Sequence, residues 1–325
     1  MFDRAAAERE AVPPERVRRP TVRPVAWDDA ERAALVALLR TRPRGVSYAD
    51  VVAEVGPRES ALDVWHEHHP PTLYDEAEEL SAARRDIEAW RSAGLGFLTF
   101  PDRDYPQQLR AVHDLPPVLF HRGRLVPDDR AVSVVGSRNA SDRGLDIART
   151  LARGLVDRGV TVVSGLARGI DAAAHRATLE AGGRAVAVIG TGITRCYPAE
   201  NRDLQEEVAT RGLLLSQFWP DAPAGKHTFP LRNSVMSGYG RATIVVEAGE
   251  HSGARIQARA AVGHGRPVIL TSLVAESNAW AQRLLGQPGV HVAAGTAEAM
   301  RLVEDITAES GRIDALLAPV TTGWG

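Results

Sequence analysis

The sequence predicts a doubly wound α/β domain with a mainly parallel sheet, preceded by a small helical domain. Three observations lead there. Runs such as Ala185-Val186-Ala187-Val188-Ile189 and Thr243-Ile244-Val245-Val246 carry almost no polar positions, so both faces need cover, as in a parallel sheet between helical layers. These runs alternate with stretches of helical periodicity, the pattern of repeated βαβ units. Several of them end in turns of Gly, Ser and Arg just before a helix opens, where open parallel sheets bind ligands.

In chain order, residues 1–26 are proline-rich, of mixed charge and without periodicity, and are expected to form a disordered tail. From Trp27 to Gly94 the pattern is helical. Ala33, Leu35, Val36, Leu38 and Leu39 give one apolar face, and Leu80, Ile87 and Trp90 give another, with His66 to Pro71 as a breaker between them. The small helical domain is placed at 27–95. Phe97 to Phe100 reads as a short strand and Pro101 to Pro106 as an irregular turn. There follow strand 132–135, helix 144–157, strand 160–163, helix 171–181, strand 185–189, helix 199–210 and strand 213–217. A long loop, 218–229, leads to helix 231–238, strand 242–247, helix 253–263 and strand 267–271. A last helix and strand fall near 278–292, before a helix at 296–306. The sheet domain is placed at 96–307, with 308–325 as a C-terminal tail.

Composition bounds the function. The 325 residues are 44% hydrophobic and 25% charged with a net charge of −2, ordinary for a soluble globular chain and short of the strong positive charge of a dedicated nucleic-acid binder. Of the 39 basic residues only Lys226 is lysine, and arginine forks onto phosphate and stacks on bases. No apolar run is long enough for a membrane span, and residues 1–24 lack the apolar stretch of a secretory signal. A lone cysteine, Cys196, excludes an intramolecular disulfide and fits a reducing cytosol. The expectation is a cytoplasmic chain without membrane attachment.

Two strand-to-helix junctions carry the functional signal: Val135-Gly136-Ser137-Arg138 and Ser164-Gly165-Leu166-Ala167-Arg168-Gly169. Each offers backbone N–H groups, a hydroxyl and a cation to an anion. Side by side on one sheet they would make a phosphate-gripping crest, and so point to a nucleotide or nucleic-acid ligand. A nicotinamide fingerprint is missing, because Gly136 is followed only by Gly144, and Gly190-Thr191-Gly192 has no third glycine in register. A phosphate-binding G-K-[ST] loop is absent too. In the loop Gly225 to Asn233, Lys226 and Arg232 address the backbone of a nucleic acid while Phe229 supplies a stacking face. A plainer reading makes Phe229 a core anchor, with Pro230 opening a helix.

The chain resembles the DprA/Smf family of bacterial DNA-processing proteins. The resemblance runs from about Leu95 to Arg266 through Thr99 to Pro106, Pro116 to Phe120, Val135 to Arg138, Ser164 to His175, Tyr197 to Asn201, Phe229 to Asn233, and Val245 to Ala248 with Ser252 to Ala254. It implies an extended Rossmann-like domain that binds single-stranded DNA, forms a homodimer and assists loading of the RecA recombinase in recombination and natural transformation, without a catalysed reaction. The DNA-binding residues expected are Gly136, Ser137, Arg138, Ser164, Gly165, Arg168, Lys226, Phe229, Arg232 and Asn233, with Asp171, His175, Glu247, Ser252 and Gly253 at the pocket edge. No cofactor and no metal are expected. Asp171 and His175 are four apart on one helix, but Asp171 reads as a cap, and His66, His68 and His69 lack supporting cysteines. One departure stands out: Ser234 follows Asn233 where relatives carry another cation. The alternative is a nucleotide sensor or hydrolase with a related pocket.

Overall fold

The computed structural model describes residues 24–70 and 78–317. Four helices come first: α1 (Asp29–Thr41), α2 (Tyr48–Val55), α3 (Ala61–His68) and α4 (Glu78–Ser92). The strands are β1 (Gly96–Thr99), β2 (Val118–Gly123), β3 (Ala131–Val135), β4 (Thr161–Ser164), β5 (Ala185–Val188), β6 (Leu213–Ser216), β7 (Ala242–Val245), β8 (Val268–Thr271) and β9 (Val290–Ala293). A short helix α5 (Gln107–Arg110) lies between β1 and β2. Then come α6 (Asp142–Val156), α7 (Ile170–Glu180), α8 (Arg202–Arg211), α9 (Thr228–Tyr239), α10 (Gly253–Gly263), α11 (Ser272–Ala275), α12 (Ala279–Leu284) and α13 (Thr296–Leu317).

The nine strands form one sheet in the order β1-β2-β6-β5-β4-β3-β7-β8-β9. From β6 to β9 all pairings are parallel, while β1 and β2 extend the sheet antiparallel. Every residue of β4, β5, β6, β7 and β8 is buried, which is why these runs lack polar alternation. The predicted α/β architecture is therefore present. Two helix starts beside the crest carry side-chain caps: Ser141 accepts from the Gly144 N–H at the head of α6, and Ser252 accepts from Ala254 N–H at the head of α10.

Several expectations change. The chain between Pro106 and Ala131 holds β2, whose pairing with β6 covers an edge that would otherwise be open. The last helix reaches Leu317 rather than 306, so a tail beginning at 308 is replaced by helix up to that point. Within the expected tail 1–26, residues 1–23 lie outside the described residues, while Val25 N–H donates to the Pro101 carbonyl at 2.9 Å. The His-rich breaker starts late: His66 and His68 lie in α3, His68 meets Glu54 at 2.8 Å, and His69 stacks on Trp65 at 3.9 Å. Among the described residues no helix is long and apolar enough to cross a membrane.

The helical region seats on the antiparallel edge of the sheet. Trp27 meets Phe100 edge-on at 5.8 Å, and Trp90 packs on Phe97, Phe120 and Trp219 at 5.1, 4.8 and 5.9 Å. Trp219 begins the loop from β6 to α9, so the helices brace the approach to α9. On the other side of the sheet, β3 leads through α6 to β4 on one flank, whereas β7 pairs with its other flank. β3 and β7 thus mark a topological switch point, where a crevice is expected at the carboxyl ends of the strands.

Candidate nucleic-acid interface

Two adjoining cavities occupy this crest. The larger, about 640 Å³, lies between the turn Gly136 to Asn139 after β3, the first turns of α9, and the segment Gly249 to Ala254 that leads from β7 into α10. The smaller, about 230 Å³, lies between Arg138, Gly165, Arg168, Tyr197, Phe229 and Arg232. Arg138, Phe229 and Arg232 line both, so one aromatic ring and two guanidinium groups form the wall between them.

Their geometry is set locally. The Ser137 N–H donates to the Glu247 carbonyl at 2.6 Å, and the Ser137 hydroxyl accepts from the Asn139 N–H at 3.1 Å. These bonds tighten the turn and throw Arg138 outward. Its Cζ lies 5.1 Å from the centre of the Phe229 ring, and the side chain makes no ion pair among the described residues. Arg232 approaches the same ring from within, at 5.9 Å. It is 5% exposed, and its Nη1 donates to the carbonyls of Gly165 and Val188 at 2.6 and 3.1 Å, tying α9 to the ends of β4 and β5. Burial holds the Arg232 pKa below its ordinary value, the Asp171 carboxylate opposes this, and Arg138 adds like-charge repulsion. Two cations around one ring, crowded against each other, favour an anion between them.

Glycine is required at two places. A Cβ on Gly165 would stand 1.6 Å from Arg232 Nη1, and Gly169, at φ +71°, would meet the Ser137 carbonyl at 2.3 Å. The close approach is thus made by the protein's own groups, which pack the two junctions together.

Most sequence-predicted residues converge on the crest. Gly136, Ser137, Arg138, Phe229, Arg232, Asn233, Asp171, Ser252 and Gly253 line the larger cavity, and Gly165 and Arg168 line the smaller. Arg168 is exposed and pairs with Glu200 at 3.1 Å. Four are corrected. Ser164 is fully buried, its hydroxyl donating to the Val134 carbonyl at 2.7 Å, so it joins strands instead of meeting a ligand. Lys226 is exposed but lines neither cavity. Glu247 turns away to accept from the Ser141 N–H at 3.0 Å and the Ser141 hydroxyl at 2.6 Å, bracing the first turn of α6. His175 is fully buried and lines neither cavity. Tyr197 was not among the predicted residues. It is 47% exposed, its ring lies 5.6 Å from Phe229, and it lines the smaller cavity. An aromatic in the Tyr197 to Asn201 motif was the available signal.

Burial pushes the His175 pKa down to about 4; the Ser164 backbone pulls it up and the Arg232 charge adds to the fall. Asp171 is pushed up by burial, against Arg232 and the N–H groups of Ala167 and Gly165. His175 is neutral in the native state where the unfolded chain, with a pKa of about 6.5, takes a proton. Stability is therefore full above about pH 6.5 and falls as pH drops toward 4, by up to about 1.4 kcal/mol per pH unit for this group. Urea midpoints of the parent chain and His175→Gln between pH 7 and 5 check this. The parent should lose the steeper share, and parallel profiles would rule the assignment out.

Comparison with known proteins now fixes the family. Residues 96–310 match the family model of the DNA recombination-mediator protein A. The chain belongs to this family. Over 180 residues it is 42% identical to the protein Smf of Synechocystis sp., a match covering 53% of this chain and 45% of that protein. Over 187 residues it is 36% identical to the DNA processing protein DprA of Bacillus subtilis, covering 57% and 63%. The chain thus spans about half to two thirds of the length of these curated relatives. The X-ray structure of DNA processing protein A from Streptococcus pneumoniae superposes with a TM-score of 0.65 at 25% identity, covering 85% of this chain and 98% of that one. DNA processing protein A from Helicobacter pylori, whose structure describes a single-stranded DNA binding mode, shares the fold with a TM-score of 0.58 at 23% identity, covering 65% and 96%.

Proposed function

We propose that the chain binds single-stranded DNA along the crest, as a non-enzymatic recombination mediator. The observation that carries this is the Arg138–Phe229–Arg232 wall shared by two adjoining cavities. A single nucleotide needs one cavity, whereas consecutive nucleotides of a strand use two. A base stacks on Phe229 or Tyr197 only when unpaired, and the guanidinium groups address phosphates, so sequence preference is slight. Arg168, Asn233 and the head of α10 extend the track on either side. The RecA-loading role and the homodimer rest on the family resemblance, and a cytoplasmic location on the lone Cys196. Light scattering of the purified chain reads the dimer, and strand exchange by RecA in its presence reads the loading.

Gel-shift titration with single- and double-stranded oligonucleotides of mixed sequence, with AMP as competitor, tests the central claim. Single strands should bind at micromolar or tighter affinity, weakened by salt, with AMP a poor competitor. Binding of AMP as tight as that of the oligonucleotide would favour a nucleotide sensor instead. Arg138→Ala should weaken single-strand binding with little change in thermal stability, since the side chain is exposed and unpaired among the described residues. The slope of log affinity against log salt should fall by about 0.7, the share of one phosphate contact on a single strand. An unchanged slope would remove Arg138 from the interface.

A further inference from the structure

Outside both cavities, His113, Asp114 and His264 bring three potential metal-binding atoms within 4.8 Å of one another. We propose that these residues form a site for a divalent transition-metal ion of the zinc type, which clamps the loop between α5 and β2 onto α9 and α10. Two imidazoles and one carboxylate are the borderline donors such ions take, and three protein ligands leave a fourth position for water.

The surroundings of His264 support this independently. The ring is buried at the end of α10, with its Nδ1 2.9 Å from the Ser237 hydroxyl of α9. That hydroxyl lies 3.0 Å from the Ser234 carbonyl, to which it donates its proton. Toward His264 it therefore acts as acceptor, which places a ring proton on Nδ1 and leaves Nε2 as the atom that faces the cluster. An outer hydrogen bond of this kind is what orients a metal-binding histidine. Nε2 in turn faces Asp114 Oδ1 at 2.6 Å. That separation is a hydrogen bond with a proton between the two atoms, and a bound ion would take the place of that proton. The Ser234 hydroxyl donates to the other Asp114 oxygen and holds the carboxylate in place. The His113 ring lies 5.2 Å from that of His264 at 64°, and His113 and Asp114 are exposed, which leaves the site open to entry from solvent.

Ser234 thus has an assigned partner where the family resemblance led to an expected cation. Because α9 also carries Arg232 and Asn233, an ion here would fix the helix that forms one wall of the crest.

The test uses the full chain without an affinity tag, titrated with Co²⁺ and Zn²⁺ alone. One equivalent of Co²⁺ should give visible d–d absorption that Zn²⁺ abolishes, and Zn²⁺ should raise the thermal midpoint. His113→Ala and Asp114→Asn, both at exposed positions, should weaken uptake tenfold or more and cancel the thermal shift, while His66→Ala on α3 changes neither. His264→Ala should do the same but risks misfolding, so the exposed pair decides. Absence of saturable one-to-one uptake by the parent, or equal uptake by the parent and both exposed-site variants, would overturn the site.

Discussion

Phe229→Ala is expected to weaken single-strand binding by roughly ten- to a hundredfold at fixed salt, with little change in fold. Stacking of a base on an aromatic side chain is worth ~1–3 kcal/mol, and tenfold in affinity is about 1.4 kcal/mol. The ring sits between the two cavities with guanidinium groups 5.1 and 5.9 Å from its centre and Tyr197 at 5.6 Å. Its removal takes away the stacking face and also the surface against which Arg138 is held. Phe229→Tyr should retain most of the affinity, because the face survives. The plainer role, in which Phe229 only anchors α9, makes an opposite forecast: a fall in thermal midpoint for Phe229→Ala with affinity per folded molecule unchanged. Fluorescence anisotropy with a labelled oligonucleotide and a melting curve on the same samples distinguish the two.

What was legible in the chain follows the strength of its periodicities. The central parallel strands were read within one or two residues because burial on both faces removes polar positions from runs such as Ala185–Val188 and Leu213–Ser216. β2 was missed as an element because half of it, His121-Arg122-Gly123, is polar or small, as suits the exposed end of a strand near a sheet margin. In the site, residue types at strand ends located the crest, but orientation was out of reach. Ser164, Glu247 and Arg138 all sit at carboxyl ends of strands or just beyond, yet only Arg138 points to the cavities. Ser164 and Glu247 satisfy neighbouring backbone groups instead. The cluster of His113, Asp114 and His264 left no signal, since Asp114 stands 150 residues from His264 in the sequence, with His113 beside it.

Arg232→Ala is expected to act differently from Arg138→Ala, lowering stability by about 3–5 kcal/mol as well as binding. An exposed phosphate contact can be deleted without consequence for the fold, but Arg232 is 5% exposed and its Nη1 serves the carbonyls of Gly165 and Val188. Alanine leaves two buried acceptors without a donor, at about 1–3 kcal/mol each, and opens a cavity where the side chain stood. It also removes the positive charge that opposes the burial of Asp171, and an uncompensated buried charge is costly. Arg232→Lys keeps the charge but not the fork, so it should restore part of the stability and less of the DNA affinity. Gly165→Ala approaches the same contact from the other side, because its Cβ would displace Nη1, and its effects on stability and binding should resemble those of Arg232→Ala in direction. Urea unfolding and anisotropy on all three variants separate the roles. If Arg232→Ala kept the parent's unfolding midpoint, the guanidinium would be a ligand contact alone. If instead it lost stability but bound single strands as tightly as the parent under folding conditions, Arg232 would be a strut of the sheet and Arg138 with Phe229 would carry the grip.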